Sequence, residues 1–292
     1  MKFSSHIFRS ALLAGAAATL PLSWANAAEP TRIVFQNGRS VPLSAVALQG
    51  DNLVIAAAAD GTSAGQSFPL ASADHVYGDK PAELNPAVAL LLSGKPAEAL
   101  KLLEPILAAQ RVTAKIPGNF WLEAARAALV AYAVTGDAAK CVEIGKEISD
   151  ATPAQGIDPF VSLGKALLLP SSTKAADREL AFQDLTTDNL PAEVCAYASF
   201  YRANSLKGAK RNADAAEALK QDMQTLGAYL AVPCLFPAGG MILNGVAELN
   251  AAELLATLGR REEAVALLNS SIRDAAGTLV AAEANTRLES LK

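Results

Sequence analysis

The chain has 292 residues, 51% of them hydrophobic but only 5% aromatic, and a formal charge of −4. A chain this long buries enough core to fold without a metal or disulfides, and its abundant alanine favours helices that approach one another closely. The acidic balance excludes the basic footprint of a nucleic-acid-binding domain.

Residues 1–27 have the make-up of an export signal. Lys2 and Arg9 give a positive start, Ser10 to Leu22 is apolar, and Ala25-Asn26-Ala27 fits a small-x-small cleavage site. Cleavage is expected after Ala27, which takes the formal charge from −4 to −6. The apolar run is short and contains Pro21, so no transmembrane anchor is expected to remain. These features predict a periplasmic or secreted protein.

Residues 28–80 read as a small all-β domain. Arg32 to Phe35 predicts a strand that leads into Asn37-Gly38, a hairpin-turn dipeptide. Val41 to Leu48, Leu53 to Ala56, Ser67 to Leu70 and His75 to Tyr77 follow, separated by Gly-Asp-Asn and Gly-rich turns. Four or five short strands in this span predict a small barrel or a twisted meander. The turn spacing resembles the SH3-like or Sm-like barrels of envelope proteins.

From residue 81 the apolar spacing turns helical, so residues 81–292 form the second predicted domain. Five helical pairs are expected: 85–93 with 96–109, 119–134 with 138–149, 159–169 with 174–185, 191–206 with 213–226, and 241–258 with 261–272. A polar last helix, 275–291, gives the array a solvated end. Three of the pairs share a phrase in which a glycine is followed five residues later by a small residue: Gly94 with Ala99, Gly136 with Cys141, and Gly259 with Ala264. A glycine turn with a small residue early in the next helix lets two antiparallel helices pack closely.

On those residues, with Tyr132 and Pro153 in supporting positions, the helical part resembles the tetratricopeptide repeat family. Gly94 and Gly136 stand 42 residues apart, longer than that family's usual period of about 34. The third pair lacks the turn glycine, and Gly208 is out of clear register in the fourth. The expected fold is therefore mainly α, either a solenoid of antiparallel pairs or a compact bundle, after the β domain. The resemblance implies that the first helix of each pair lines a binding groove. In the fourth pair this places Tyr197, Tyr201 and Asn204 on one face, with Arg202 beside them, as candidate partner-binding residues.

Chemistry-bearing motifs are sparse. Beyond the signal the one histidine is His75, read as a polar turn residue. Gly61-Thr-Ser63-Ala-Gly65 has the spacing of a nucleophile elbow but is followed by a strand rather than a helix, so it reads as a turn. The neighbouring acids Glu262-Glu263 and Asp177/Glu179 fit solvated helix faces. No metal-ligand cluster, cofactor motif or catalytic set is expected. Cys141 reads as a packing residue, while Cys195 and Cys234 could form a disulfide across neighbouring helices. Phe120 and Trp121 read as an anchor for the start of their helix. The uncharged stretch Tyr229 to Leu243 reads as a buried crossover or, alternatively, an exposed partner-binding loop. Together these features predict a non-enzymatic envelope protein, a scaffold or adaptor that binds a protein or peptide. A hydrolase with an unconventional carboxylate site and a small-ligand binder are the alternatives.

Overall fold

The computed structural model describes residues 29–152, 156–209 and 215–291. The predicted signal with its cleavage site, Pro153 and Ala213 lie outside the described residues.

The β unit is built twice over. Its first half is β1 (Arg32–Phe35), β2 (Ser40–Pro42), a 3₁₀ turn (Leu43–Ala45) and β3 (Val46–Gln49). Its second half repeats that order as β4 (Asn52–Ile55), β5 (Ser67–Pro69), a 3₁₀ turn (Leu70–Ser72) and β6 (Ala73–Tyr77). The phrase Ser40-Val-Pro-Leu43 returns as Ser67-Phe-Pro-Leu70. The registers match too, with Ile33 opposite Val41 and Leu53 opposite Phe68. Leu43 N–H donates to the Thr31 carbonyl at 2.9 Å, and its counterpart Leu70 N–H donates to the Asp51 carbonyl at 2.8 Å.

The last strand of each half crosses to the other half. β6 pairs with β1 and β3 with β4, giving the orders β2-β1-β6 and β3-β4-β5. Two separate three-stranded antiparallel sheets thus replace the single barrel or meander expected from the sequence. The reason is local: the 3₁₀ turn at Leu43–Ala45 breaks the run Val41 to Leu48 and sends its two ends into different sheets. Ile33, Phe35, Val41, Leu53 and Ile55 form the core between them, and Ile116 from the helical part completes it.

Eleven α-helices follow among the described residues. They are α1 (Leu84–Leu92), α2 (Pro96–Gln110), α3 (Trp121–Thr135), α4 (Ala138–Ala151), α5 (Pro159–Leu167), α6 (Ala175–Gln183), α7 (Ala192–Ala209), α8 (Ala215–Leu235), α9 (Met241–Thr257), α10 (Arg261–Asp274) and α11 (Leu279–Ser290). The glycine phrase has a common geometry. Gly94, Gly136 and Gly259 all adopt φ between +77° and +80°, the left-handed region that glycine enters without steric cost. The next N–H then reaches back to the carbonyl five residues earlier: Lys95 to Leu90, Asp137 to Tyr132, and Arg260 to Leu255, each at 2.9 Å. This helix-ending motif satisfies carbonyls that the helix leaves unpaired and turns the chain sharply. Ala99, Cys141 and Ala264 are then buried at the start of the next helix.

The pairs do not stack into an open-ended array. α1 packs on α3, α3 on α5, α5 on α7 and α7 on α9, and α9 returns to pack on α1, with α11 also against α1. In a solenoid each repeat touches its sequence neighbours; here the first and last pairs meet. The first helices of the pairs therefore form a closed inner ring. Their composition fits this, since α3 buries Ala124, Ala125, Ala127, Ala128 and Ala131, whose small side chains admit neighbours on several sides. α9 is similar: a Cβ on Gly245 would meet Val280 Cγ1 at 2.8 Å and Ala275 Cβ at 3.5 Å.

The Tyr229 to Leu243 stretch is not a loop. α8 continues to Leu235, a 3₁₀ turn covers Pro237–Gly239, and α9 starts at Met241. Pro233 lies in the last turn of α8; its missing N–H removes the usual helical bond to the Tyr229 carbonyl, and the helix ends two residues later. Tyr229 and Val232 are buried, whereas Leu235 is exposed.

Candidate functional site

The inner ring is filled by side chains. Tyr197 and Tyr201, expected on a groove, are 6% and 8% exposed. Tyr197 meets the Phe160 ring edge-on at 5.3 Å, and Tyr201 meets Phe200 at 5.4 Å. Arg202 Nη2 donates to Glu179 Oε1 at 2.7 Å, so Glu179 is an ion-pair partner rather than half of an acid pair with Asp177. Asn204 Oδ1 accepts from Tyr229 OH at 2.6 Å. Tyr197, Arg202 and Asn204 thus tie α7 to α5, α6 and α8, while Tyr201 is buried beside Phe200 of α7 itself. α7 packs against α5, α6 and α8, and both tyrosines are core residues there. Burial pushes the Tyr197 and Tyr201 hydroxyls well up from their ordinary value. The Tyr201 hydroxyl is buried with no hydrogen-bond partner. Removing an unsatisfied buried group relieves a desolvation cost, so Tyr201→Phe is expected to be neutral or to stabilise by about 1 kcal/mol in urea unfolding. A loss of similar size would mean that the hydroxyl has a partner.

The three cysteines are separate thiols. Cys195 is buried with Sγ 3.7 Å from the Thr187 carbonyl and 3.8 Å from that of Leu190, while Cys234 is exposed near the end of α8. The disulfide considered from the sequence is not formed in this structure. Cys141 touches the space above Gly164, whose added Cβ would lie 3.0 Å from its Sγ. His75 is exposed on β6, with Nδ1 2.8 Å from Asp74 Oδ2. Ser63 sits in a turn, its N–H donating to Gln66 Oε1 at 3.2 Å. Glu263 pairs with Arg260 at 2.6 Å, and Glu262 stands beside it in the first turn of α10. Among the described residues no group of three or more His, Cys, Asp or Glu is placed to hold a metal.

Three features offer sites. The first is an ion network across the inner ring. Arg126 on α3 reaches Asp158 Oδ2 at 2.6 Å and Glu193 Oε2 at 3.2 Å, tying α3 to the starts of α5 and α7. Its guanidinium also lies 5.1 Å from the Phe160 ring centre. Asp158 is fully buried and accepts Phe160 N–H at 2.9 Å, capping α5. Burial pushes the Glu193 carboxyl up, while Arg126 pulls it down. Every charge here faces an opposite one, which marks the network as a fastening.

The second is a basin of about 710 Å³ where α1, α9 and α11 meet. Lys95, Asn204, Asn250, Thr286 and Arg287 line it. Close by, α9 carries Glu248, buried against α10, which accepts Ser271 Oγ at 2.8 Å. Burial raises the Glu248 carboxyl above its ordinary value, against the pull of Ser271 and Ser270. A raised carboxyl destabilises the fold once pH climbs past its unfolded value, because the native state then holds the proton more tightly. Glu248→Gln should therefore gain thermal stability relative to the parent as pH rises from about 4 to 7. A pH-independent difference in melting temperature would contradict that sign.

The third is a groove between α2 and α4. Two adjoining depressions, of about 350 and 230 Å³, share Arg111, Trp121 and Glu147. Trp121 is 2% exposed and forms the floor at the start of α3. At the other end of the floor, Tyr132 OH donates to Glu104 at 2.9 Å; burial, then this carboxylate, pushes the Tyr132 hydroxyl up to about 12. Arg111 Nη2 meets Glu147 Oε1 at 2.6 Å across the groove. The smaller depression runs out to Leu48 and Leu70 of the β unit. The sequence singles out Trp121 as a helix anchor and Tyr132 as part of the repeat likeness, but nothing in it joins them to Glu104, Arg111, Glu147, Leu48 and Leu70, which come from separate elements with no shared motif. No protein-family model, no curated protein and no solved structure matches this chain.

Proposed function

We propose that this chain is an exported, non-enzymatic binding protein that holds a protein or peptide partner, as a scaffold or adaptor in the cell envelope. The observation that carries the reading is the groove between α2 and α4. Its walls carry Glu104, Arg111, Lys140, Glu143 and Glu147 above an aromatic floor, and it continues from the helices onto the β unit. An elongated trough with an apolar bed and charged rims suits an extended or helical polypeptide better than a compact metabolite. The export signal read in residues 1–27 supports the envelope as the compartment. The tetratricopeptide likeness of the helical pairs favours the same class of function. No helix among the described residues is long and apolar enough to cross a membrane.

A second reading rests on the basin. Its volume is that of a small-ligand pocket, and Lys95 with the amides of Asn204 and Asn250 would suit a polar or anionic molecule.

The test is affinity purification of the chain from its native envelope after chemical cross-linking, with mass spectrometry of what is retained. The proposal expects one or a few proteins enriched over a control, and their loss when Arg111 and Lys140 are both changed to Glu. Retention of nothing beyond background would overturn it.

A further inference from the structure

The twofold build of the β unit leaves one strand edge bonded to a backbone strap and its twin without one. On the bonded side, Ile116-Pro117-Gly118 runs along the outer edge of β6. Val76 N–H donates to the Pro117 carbonyl at 2.8 Å. Gly118 comes so close that an added Cβ would lie 3.1 Å from the Val76 carbonyl oxygen. Ile116 enters the core, and Val76 is only 7% exposed.

The counterpart of Val76 in the other half is Leu48. Val76 stands opposite Ile33, and Leu48 stands opposite Leu53, the residue equivalent to Ile33. Antiparallel ladders alternate inward and outward backbone groups. Ala56 N–H donates to the Ala45 carbonyl, so Ala45 and Ala47 face β4 and Leu48 faces away; on β6, where Gln36 N–H donates to the Ser72 carbonyl, a one-residue bulge between Ala73 and His75 brings Val76 into the same outward phase. Leu48 therefore turns its N–H and carbonyl to the outer edge of β3, as Val76 does on β6. The 3₁₀ turn Arg111–Thr113 comes up to β3, but among the described residues nothing outside the sheet accepts the Leu48 N–H as Pro117 accepts that of Val76, and the Leu48 side chain is 41% exposed. The depression of about 230 Å³ that opens beside it is walled by Leu70, Val112, Ala114, Trp121 and Ala151. It is room for an apolar side chain at the end of the α2–α4 groove.

We infer that β3 receives an extended segment of the partner polypeptide, which does for Leu48 what Ile116-Pro117 does for Val76. A partner carbonyl accepts the Leu48 N–H, and a neighbouring aliphatic side chain of about isoleucine size fills the depression. The internal strap defines this occupant: an aliphatic residue followed by proline or another residue that leaves its carbonyl free. Such pairing gives affinity through main-chain bonds and selectivity through the pocket. The inference rests on the binding function proposed above and locates its contact.

The probe is the synthetic peptide Ala-Lys-Ile-Pro-Gly, the sequence of Ala114 to Gly118, titrated at millimolar concentration into the ¹⁵N-labelled whole chain. Saturable shifts are expected at the amides of Leu48 and Gln49, and a peptide with aspartate in place of isoleucine should produce none. Leu48→Glu puts a carboxylate against the apolar wall and should weaken binding about tenfold. Leu48→Pro removes the N–H at an outward edge position, where proline is tolerated, and should do the same; if it unfolds, Leu48→Glu carries the test. Absence of shifts on β3, or equal binding by the variants, overturns the inference. So does protection of the Leu48 amide by concentration-dependent self-association, which would assign the edge to a second copy. Partner capture unchanged by Leu48→Glu would leave the binding function standing and remove this contact; capture of no partner at all would remove both.

Discussion

Replacing Arg126 by methionine should cost about 3–5 kcal/mol of stability, the range for stranding a buried charge. Asp158 has no solvent exposure, and its Oδ2 takes two bonds from the Arg126 guanidinium, at 2.6 and 3.3 Å. Without that cation the carboxylate must either stay ionised in a low-dielectric site or take a proton that disturbs its cap on Phe160 N–H. Glu193 loses the one nearby group that draws its carboxyl down by direct ion pairing. Three of the five inner helices are fastened through this one side chain, so the loss should register as a lower urea midpoint with an unchanged slope. Adding Asp158→Asn to the methionine variant should restore much of the loss, since asparagine keeps the helix cap and carries no charge. A loss below about 1 kcal/mol for Arg126→Met would place the pair among solvent-screened surface bridges and contradict its burial.

Trp121→Ala should be comparably severe, about 3–5 kcal/mol, because a large buried side chain leaves a cavity that the helices cannot collapse into. The indole opens α3, packs into the helical core and lies beneath both depressions of the groove. Its loss therefore couples stability to the proposed function, with the floor and the fold failing together. Trp121→Phe should keep most of the stability, which separates lost volume from lost aromatic contact. With residues 1–27 removed, Trp121 is the remaining tryptophan of the two in the sequence. Its fluorescence then reports this one position, and an emission maximum typical of buried indole is expected in the folded chain. A water-exposed emission, or a Trp121→Ala midpoint close to the parent's, would contradict the packing.

The helical pairs were legible because their signals are local. Gly94, Gly136 and Gly259 announce sharp turns in the sequence, and each adopts positive φ with the same backward hydrogen bond. The strands were nearly as legible from their turn dipeptides. The closure of the ring was not, since it depends on α1 meeting α9 and α11 at the far end of the chain, and alanine-rich faces carry no address. Tyr197, expected on a groove, is core because α7 packs it against Phe160 of α5, a contact that no local signal in the sequence announces. The stretch Tyr229 to Leu243 was misjudged for a related reason: Pro233 and Gly239-Gly240 suggest a loop, but Pro233 falls at a helix end. One signal lay in plain sight. Ser-Val-Pro-Leu at residue 40 and Ser-Phe-Pro-Leu at residue 67 mark the duplication, and the duplication is what exposes the difference between Val76 and Leu48.

A closed and filled ring shifts the search for function outward. The ring supplies rigidity, through Arg126, the buried tyrosines and the close approaches at Gly164 and Gly245. The groove and the β3 edge supply surface that these contacts leave unused. The measurement that bears most directly on this account is hydrogen–deuterium exchange of the chain with and without its captured partner. The account predicts slowed exchange in β3 and along the facing parts of α2 and α4, with the basin residues Ser93 to Lys95 and α11 unchanged. Slowed exchange confined to the basin, with β3, α2 and α4 unaffected, would contradict it.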